Sequence, residues 1–239
     1  MEIVAVPAFT DNYIWLVHDE ASGKTAVVDP GDAAPALEQV QRRGWAIDQI
    51  WNTHWHPDHT GGNVALKQAT GATVSGPAGP RIPARDSELA EGSHVRIGDR
   101  VGRVIEVPGH TLDHVAILFD EERVAFVGDT LFAMGCGRLF EGTPQQMFDS
   151  LQRLAELPEE TRLYCAHEYT LSNARFAEHA DPANEAVVSR LARVEAQRKR
   201  GEITLPTSVA EERETNPFVR AGDWQEFARL RAMKDSFRS

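Results

Sequence analysis

Through the first two thirds of the chain, short apolar runs of strand length alternate with stretches of helical spacing, separated by turn-forming residues. Residues 3–6, 14–17 and 26–28 predict strands, the last stopped by Asp29-Pro30-Gly31. Residues 33–43 then place Ala36, Leu37 and Val40 on one helical face, with Gly44 as a stop. A strand is expected at 47–52 and a helix at 63–69, ended by Gly71. Further strands are expected at 101–107, 115–119, 124–127 and 163–166. Residues 144–157 predict a helix with Met147, Leu151 and Leu154 facing inward. Strands and helices mixed in this order predict an α/β sandwich of layers.

From about Tyr169 the pattern changes. Val187, Leu191 and Val194 form a helical stripe in a strongly charged stretch. Ser208 with Glu211, and Asp223 with Glu226, have capping-box spacing ahead of helical runs. No strand is expected beyond this point. The chain therefore divides into a domain over 1–168 and a helical domain over 169–239.

Composition narrows the function classes. With 239 residues and 41% hydrophobic content, the chain can bury a core without covalent staples. Two cysteines, Cys136 and Cys165, cannot make a disulfide framework and point to a reducing compartment. The opening MEIVAVPAF lacks a basic and apolar leader, and no run reaches membrane-spanning length. A soluble cytoplasmic protein is expected, with no membrane or nucleic-acid partner. The net charge of -11 supports the second exclusion, and it requires any anionic substrate to meet a local positive cluster.

The chemistry is concentrated in Thr53-His54-Trp55-His56-Pro57-Asp58-His59-Thr60-Gly61-Gly62. A lone histidine in a polar loop is usually solvated or hydrogen-bonded. Three imidazoles and a carboxylate packed this closely are a metal-ligand set, suited to zinc, iron or manganese. Alternation along a strand would aim His54 and His56 the same way, and Pro57 would then turn the chain so that Asp58 and His59 face a second ion. One segment cannot close two shells. His110, Asp129 and His167 each follow an expected strand and can converge from strand ends.

These segments, with Val28-Asp29-Pro30-Gly31, Pro108-Gly109-His110-Thr111, Gly128-Asp129-Thr130, Cys136-Gly137-Arg138 and Ala166-His167-Glu168-Tyr169, resemble the metallo-β-lactamase fold superfamily. With the tail Arg231-Ala232-Met233-Lys234-Asp235-Ser236-Phe237, the whole chain resembles its glyoxalase II branch. That resemblance implies an αβ/βα four-layer sandwich with a helical, glutathione-binding C-terminal domain. It implies two divalent ions, zinc foremost with iron or manganese as options. His54, His56 and His110 would hold one, Asp58, His59 and His167 the other, and Asp129 would bridge them. Asp58 and Asp129 are the expected catalytic carboxylates, and Asp29 would orient a ligand.

Arg138, Phe140, Tyr169, Arg231 and Lys234 would bind the substrate, although some family members have Lys and Tyr where this chain has Arg138 and Phe140. The implied reaction is hydrolysis of S-D-lactoylglutathione to D-lactate and glutathione by a metal-bridged hydroxide, the second step of methylglyoxal detoxification. A monomer is expected. The alternative is a glutathione persulfide dioxygenase with a single iron.

Overall fold

The computed structural model describes residues 1–238. The chain forms two compact units: Met1–Glu106 with Asp113–Gly128, and Val107–Leu112 with the residues from Asp129 onward.

In the first unit, β1 (Glu2–Ala8), β2 (Asn12–Asp19) and β3 (Lys24–Val28) form an antiparallel meander. Then come α1 (Ala33–Arg43), β4 (Ile47–Trp51), α2 (Pro57–Thr60), α3 (Asn63–Thr70), β5 (Thr73–Pro77) and β6 (Ser87–Leu89). Strands β4, β5 and β6 continue the sheet in parallel. A second, antiparallel sheet carries β7 (His94–Ile97), β8 (Arg100–Glu106), β9 (Val115–Phe119) and β10 (Val124–Gly128), in the order β10-β9-β8-β7.

Local chemistry explains the boundaries. Asp32 caps α1 by accepting from the Ala34 amide, and Gly44 ends it in the left-handed conformation that glycine adopts without strain. Strand β2 is buried along its whole length because both of its faces are covered. Ile14 and Leu16 join Val40 and Leu66 in the core beneath α1 and α3, while Trp51 meets Phe119 of the second sheet with ring centroids 5.8 Å apart. Full burial of each such side chain contributes roughly 1.5–3 kcal/mol. This core fixes the strand ends from which the chemistry projects.

The second unit contains β11 (Leu131–Phe132), β12 (Gly135–Cys136), α4 (Pro144–Ala155), β13 (Arg162–Cys165), α5 (Thr170–Ala180), α6 (Glu185–Lys199), β14 (Thr207–Ser208), α7 (Val209–Thr215) and α8 (Trp224–Ser236). A reciprocal capping box between Thr143 and Gln146 starts α4, and Met147, Leu151 and Leu154 are buried as their spacing predicts. Ser208 and Asp223 cap α7 and α8 by accepting from the Glu211 and Glu226 amides.

Inside this unit Arg190 is buried and donates to Glu212 Oε1 at 2.7 Å, while Glu212 Oε2 accepts from the Met134 amide at 2.8 Å. The ion pair thus ties α6 and α7 to the β11–β12 hairpin. Breaking one partner of such a pair costs about 3–5 kcal/mol.

The expectation of no strand after Tyr169 is corrected by β14, whose Thr207 pairs with Leu163 of β13. Two residues carry no periodicity, so pairing to a distant strand, rather than local pattern, makes them a strand. The brief β6, β11 and β12 escape the sequence pattern for the same reason.

Candidate metal centre

The expected ligands fall into two groups, one in each unit. Strand β4 ends at Trp51, so His54 and His56 lie on irregular backbone before α2 and not along a strand. Strand alternation therefore does not place them. The bend does, bringing His54 Nε2 within 3.1 Å of His56 Nδ1 with the rings at 79°. Pro57 also departs from expectation, because it opens α2 in its first turn, a position that needs no amide hydrogen. Asp58 and His59 follow on that short helix.

A buried carboxylate organises this group. Asp29 Oδ1 accepts from the Thr53 amide at 2.8 Å, and Oδ2 accepts from the Thr53 hydroxyl at 2.7 Å. With its proton committed, Thr53 Oγ1 accepts from His54 Nδ1 at 3.1 Å, which leaves the His54 Nε2 lone pair facing His56. Asp29 Oδ2 also lies 3.1 Å from His59 Nδ1, and His59 Nε2 lies 3.4 Å from Asp58 Oδ2. Asp29 thus acts on two imidazoles, on one of them through Thr53. Its turn packs directly on α2: a Cβ at Gly31 would sit 1.9 Å from the Asp58 carbonyl oxygen, so only glycine fits.

The second group gathers from three strand ends. His110 Nδ1 donates to the Arg138 carbonyl at 2.8 Å, which leaves Nε2 as its lone-pair nitrogen. Asp129 Oδ2 lies 3.4 Å from His110 Nε2 and 3.4 Å from His167 Nε2. One carboxylate oxygen is therefore equidistant from two imidazole nitrogens. All three residues are buried.

These donor spacings test the fit to a metal. With zinc–nitrogen bonds of about 2.0–2.1 Å, the edge of a tetrahedral shell is roughly 3.3 Å. Donor atoms within the two groups stand 3.1 Å (His54–His56), 3.4 Å (His59–Asp58) and twice 3.4 Å (Asp129 to His110 and His167) apart. Nitrogen and oxygen donors at shell-edge distances suit a divalent ion.

The substrate candidates all lie in the second unit. Phe140 and Tyr169 are exposed, and each touches a candidate ligand's imidazole: Phe140 edge-on to His110 at 5.2 Å, Tyr169 stacked on His167 at 4.7 Å. Arg138 is exposed.

Arg231 is buried, its Nη1 donating to the Cys136 carbonyl at 3.0 Å and its Nη2 to Asp235 at 2.9 Å. Lys234, half-buried one turn on, donates to the Ser172 carbonyl at 2.9 Å and lies over Phe176 and Phe237. Burial lowers the Lys234 ammonium to a pKa of about 8, helped by the charges of Arg231 and Arg138. Lys234 therefore feels both guanidinium charges. Burial pushes the thiols the other way, Cys136 up to about 11 and Cys165 up to about 12, so neither is a thiolate nucleophile at neutral pH.

Three residues around the ligands carry no signal of their own in the sequence. Thr53 relays Asp29 to His54. His114, which belongs to no motif, is buried and stacks on His54 with ring centroids 4.7 Å apart. Asn12 donates to Asp58 Oδ2 at 3.0 Å. Hydrogen-bond and stacking partners of this kind are visible only once the chain is folded.

Residues 8–167 match the model of the metallo-beta-lactamase superfamily, and residues 168–237 match that of the hydroxyacylglutathione hydrolase C-terminus. A hydroxyacylglutathione hydrolase from Methylococcus capsulatus is 48% identical over 254 residues, covering 100% of this chain and 99% of its own length. The chain belongs to the hydroxyacylglutathione hydrolase family. Its fold is that of the metallo-β-lactamase superfamily with a helical C-terminal region, as expected from the sequence. Among solved structures, ETHE1 from Myxococcus xanthus superimposes with a TM-score of 0.77 at 27% identity, covering 100% of this chain and 93% of that one. TTHA1623 in a di-iron-bound form gives a TM-score of 0.65 at 26% identity, covering 91% and 100%. Histidine and aspartate groups set on this fold make divalent-metal binding the site's chemistry.

Proposed function

We propose that this member of the family hydrolyses the thioester S-D-lactoylglutathione to D-lactate and glutathione. The observation that carries the proposal is full-length kinship at 48% identity to a hydroxyacylglutathione hydrolase, extending through the C-terminal model at 168–237. We assign seven ligands to two divalent ions: His54, His56 and His110 to one, Asp58, His59 and His167 to the other, with Asp129 between them. The equal 3.4 Å distances from Asp129 Oδ2 to two imidazoles support the bridging role. The di-iron form of TTHA1623 supports a two-ion site on this fold. Zinc is the favoured metal, with iron and manganese compatible with the same donors.

When bound, such a pair supplies Lewis acidity, making water nucleophilic near neutral pH and polarising a carbonyl. The chain's own residues set the stage. Asp29 and Thr53 hold the His54 tautomer, the Arg138 carbonyl holds that of His110, and Asp58 and Asp129 contribute the negative charge. A thiol with a pKa of about 8.5 leaves as thiolate without a strong acid, so the site needs no dedicated proton donor.

Residues 169–239 form the glutathione-binding domain in this proposal. Arg138, Lys234 and Arg231 provide the local positive charge that an anionic thioester needs on a chain of net charge -11. Phe140 and Tyr169 flank the thioester beside the imidazoles they touch. No described helix is long and apolar enough to cross a membrane. A monomer in the cytoplasm, acting on a small molecule, completes the proposal.

The test is an anaerobic assay of purified protein on S-D-lactoylglutathione, reading one thiol released per turnover, with metal analysis of the same sample. Persulfide dioxygenation is not favoured. Oxygen uptake with glutathione persulfide, in place of thioester cleavage, would favour it over hydrolysis.

A further inference from the structure

The ligands of the first unit are not equally supported. His54 is held through Thr53, and His59 is buried against Asp29. Asp58 differs. Its side chain is 41% exposed, on a four-residue helix without a side-chain N-cap. A partly solvated carboxylate on a short helix needs a partner from elsewhere to hold one rotamer.

That partner comes from the β1–β2 hairpin. Asn12 opens β2 opposite Ala8, so Phe9, Thr10 and Asp11 make the turn, with Phe9 in the left-handed region at φ 50. For a bulky residue this conformation costs on the order of 1–2 kcal/mol. The turn is seated against the Asp29–Gly31 loop, since a Cβ at Gly31 would meet Phe9 Cε2 at 2.7 Å as well as the Asp58 carbonyl. The Asn12 side chain, 7% exposed, donates Nδ2 to Asp58 Oδ2 at 3.0 Å and lies 3.4 Å from the Asp58 carbonyl oxygen.

We propose that Asn12 is a positioning residue for the metal centre, fixing the Asp58 carboxylate for the ion it ligates. The inference rests on the metal-centre assignment under Proposed function. A carboxylate oxygen has two lone pairs. The Asn12 hydrogen occupies one on Oδ2 and directs the other toward the space beside His59 Nε2, 3.4 Å away. The amide is neutral and keeps its donor toward Asp58, so it orients the carboxylate without competing for the ion. Aspartate at position 12 would keep the shape but set acceptor against acceptor.

Zinc affinity of the full-length protein, measured by competition with a chromogenic chelator, tests this without recourse to turnover. Asn12→Ala should weaken one of the two ions by about 10–100-fold and leave the other within about twofold. Asn12→Asp, closer in shape, should weaken the same ion further. In an Asp58→Ala background, read with a weaker chelator, Asn12→Ala should add nothing, because the two residues act as one unit. An equal loss in both backgrounds would overturn the proposal, as would wild-type zinc affinity in Asn12→Asp. Zinc coupling of the expected size in a protein inactive on the thioester would sustain the positioning role and remove the hydrolase assignment. A wild-type protein that binds neither zinc, iron nor manganese would remove both.

Discussion

The two ligand groups solve one problem by opposite means. In the first unit, four candidate ligands lie within six consecutive positions, on a bend and a short helix that a nearby loop must hold in place. Asp29, reaching across from the end of β3, provides that hold through Thr53 and beside His59. In the second unit, three candidate ligands follow distant strand ends, and His110 and His167 converge on one oxygen of the third, Asp129. The first group is dense in sequence and depends on outside support for its geometry. The second is dispersed in sequence and gathers around Asp129, with His110 held by the Arg138 carbonyl and His167 stacked on Tyr169. Removing Asp129 should therefore dismantle the second group, whereas removing Asp29 should loosen the first.

The largest effect is expected at Asp129. Asp129→Ala should lower both metal content and thioester turnover, with kcat/KM falling by about 10³-fold, as loss of the proposed shared ligand implies. Metal analysis paired with steady-state kinetics checks this, and a variant retaining both ions would break the comparison.

Asp29→Asn should act more gently. It keeps the shape but replaces an anionic acceptor, so metal affinity should fall by about 10–100-fold while stoichiometry at saturating metal is preserved. A loss equal to that of Asp129→Ala would show that Asp29 is more than a support.

The contrast also explains what is legible in the sequence. His54, His56, Asp58 and His59 stand out by density. The caps at Ser208 and Asp223 and the inward face of α4 follow from spacing and are found as expected. His110, Asp129 and His167 are isolated residues that each follow an expected strand; the need for further ligands singles them out, and resemblance to a family assigns their roles. Thr53, His114 and Asn12 stay silent, because a hydroxyl relay, a ring stack and an amide donor leave no periodic trace. His54 and His56 converge as expected, but through the bend after β4 and not through strand alternation, because β4 stops at Trp51.

The smallest effect concerns the tail, where two cations three residues apart have different surroundings. Lys234 loses its charge as pH rises through about 8, since burial depresses its pKa from the usual 10.5. On the proposed assignment an anionic thioester binds the charged form, so KM should rise above pH 8 while kcat moves less. Lys234→Ala should show a raised KM near neutral pH, by about three- to tenfold, and lose that pH dependence. Arg231→Ala should raise KM and also lower the melting temperature, because its buried guanidinium holds the Cys136 carbonyl. Initial-rate profiles on either side of the Lys234 pKa, together with thermal denaturation, separate the two residues.

The central claim is that both ligand groups serve one two-ion hydrolytic centre. Metal-free protein titrated with zinc, with thioester hydrolysis read at each addition, addresses it most directly. Activity should climb until two ions are bound per chain and then level off. Full activity at one ion per chain, unchanged by the second, would contradict the account.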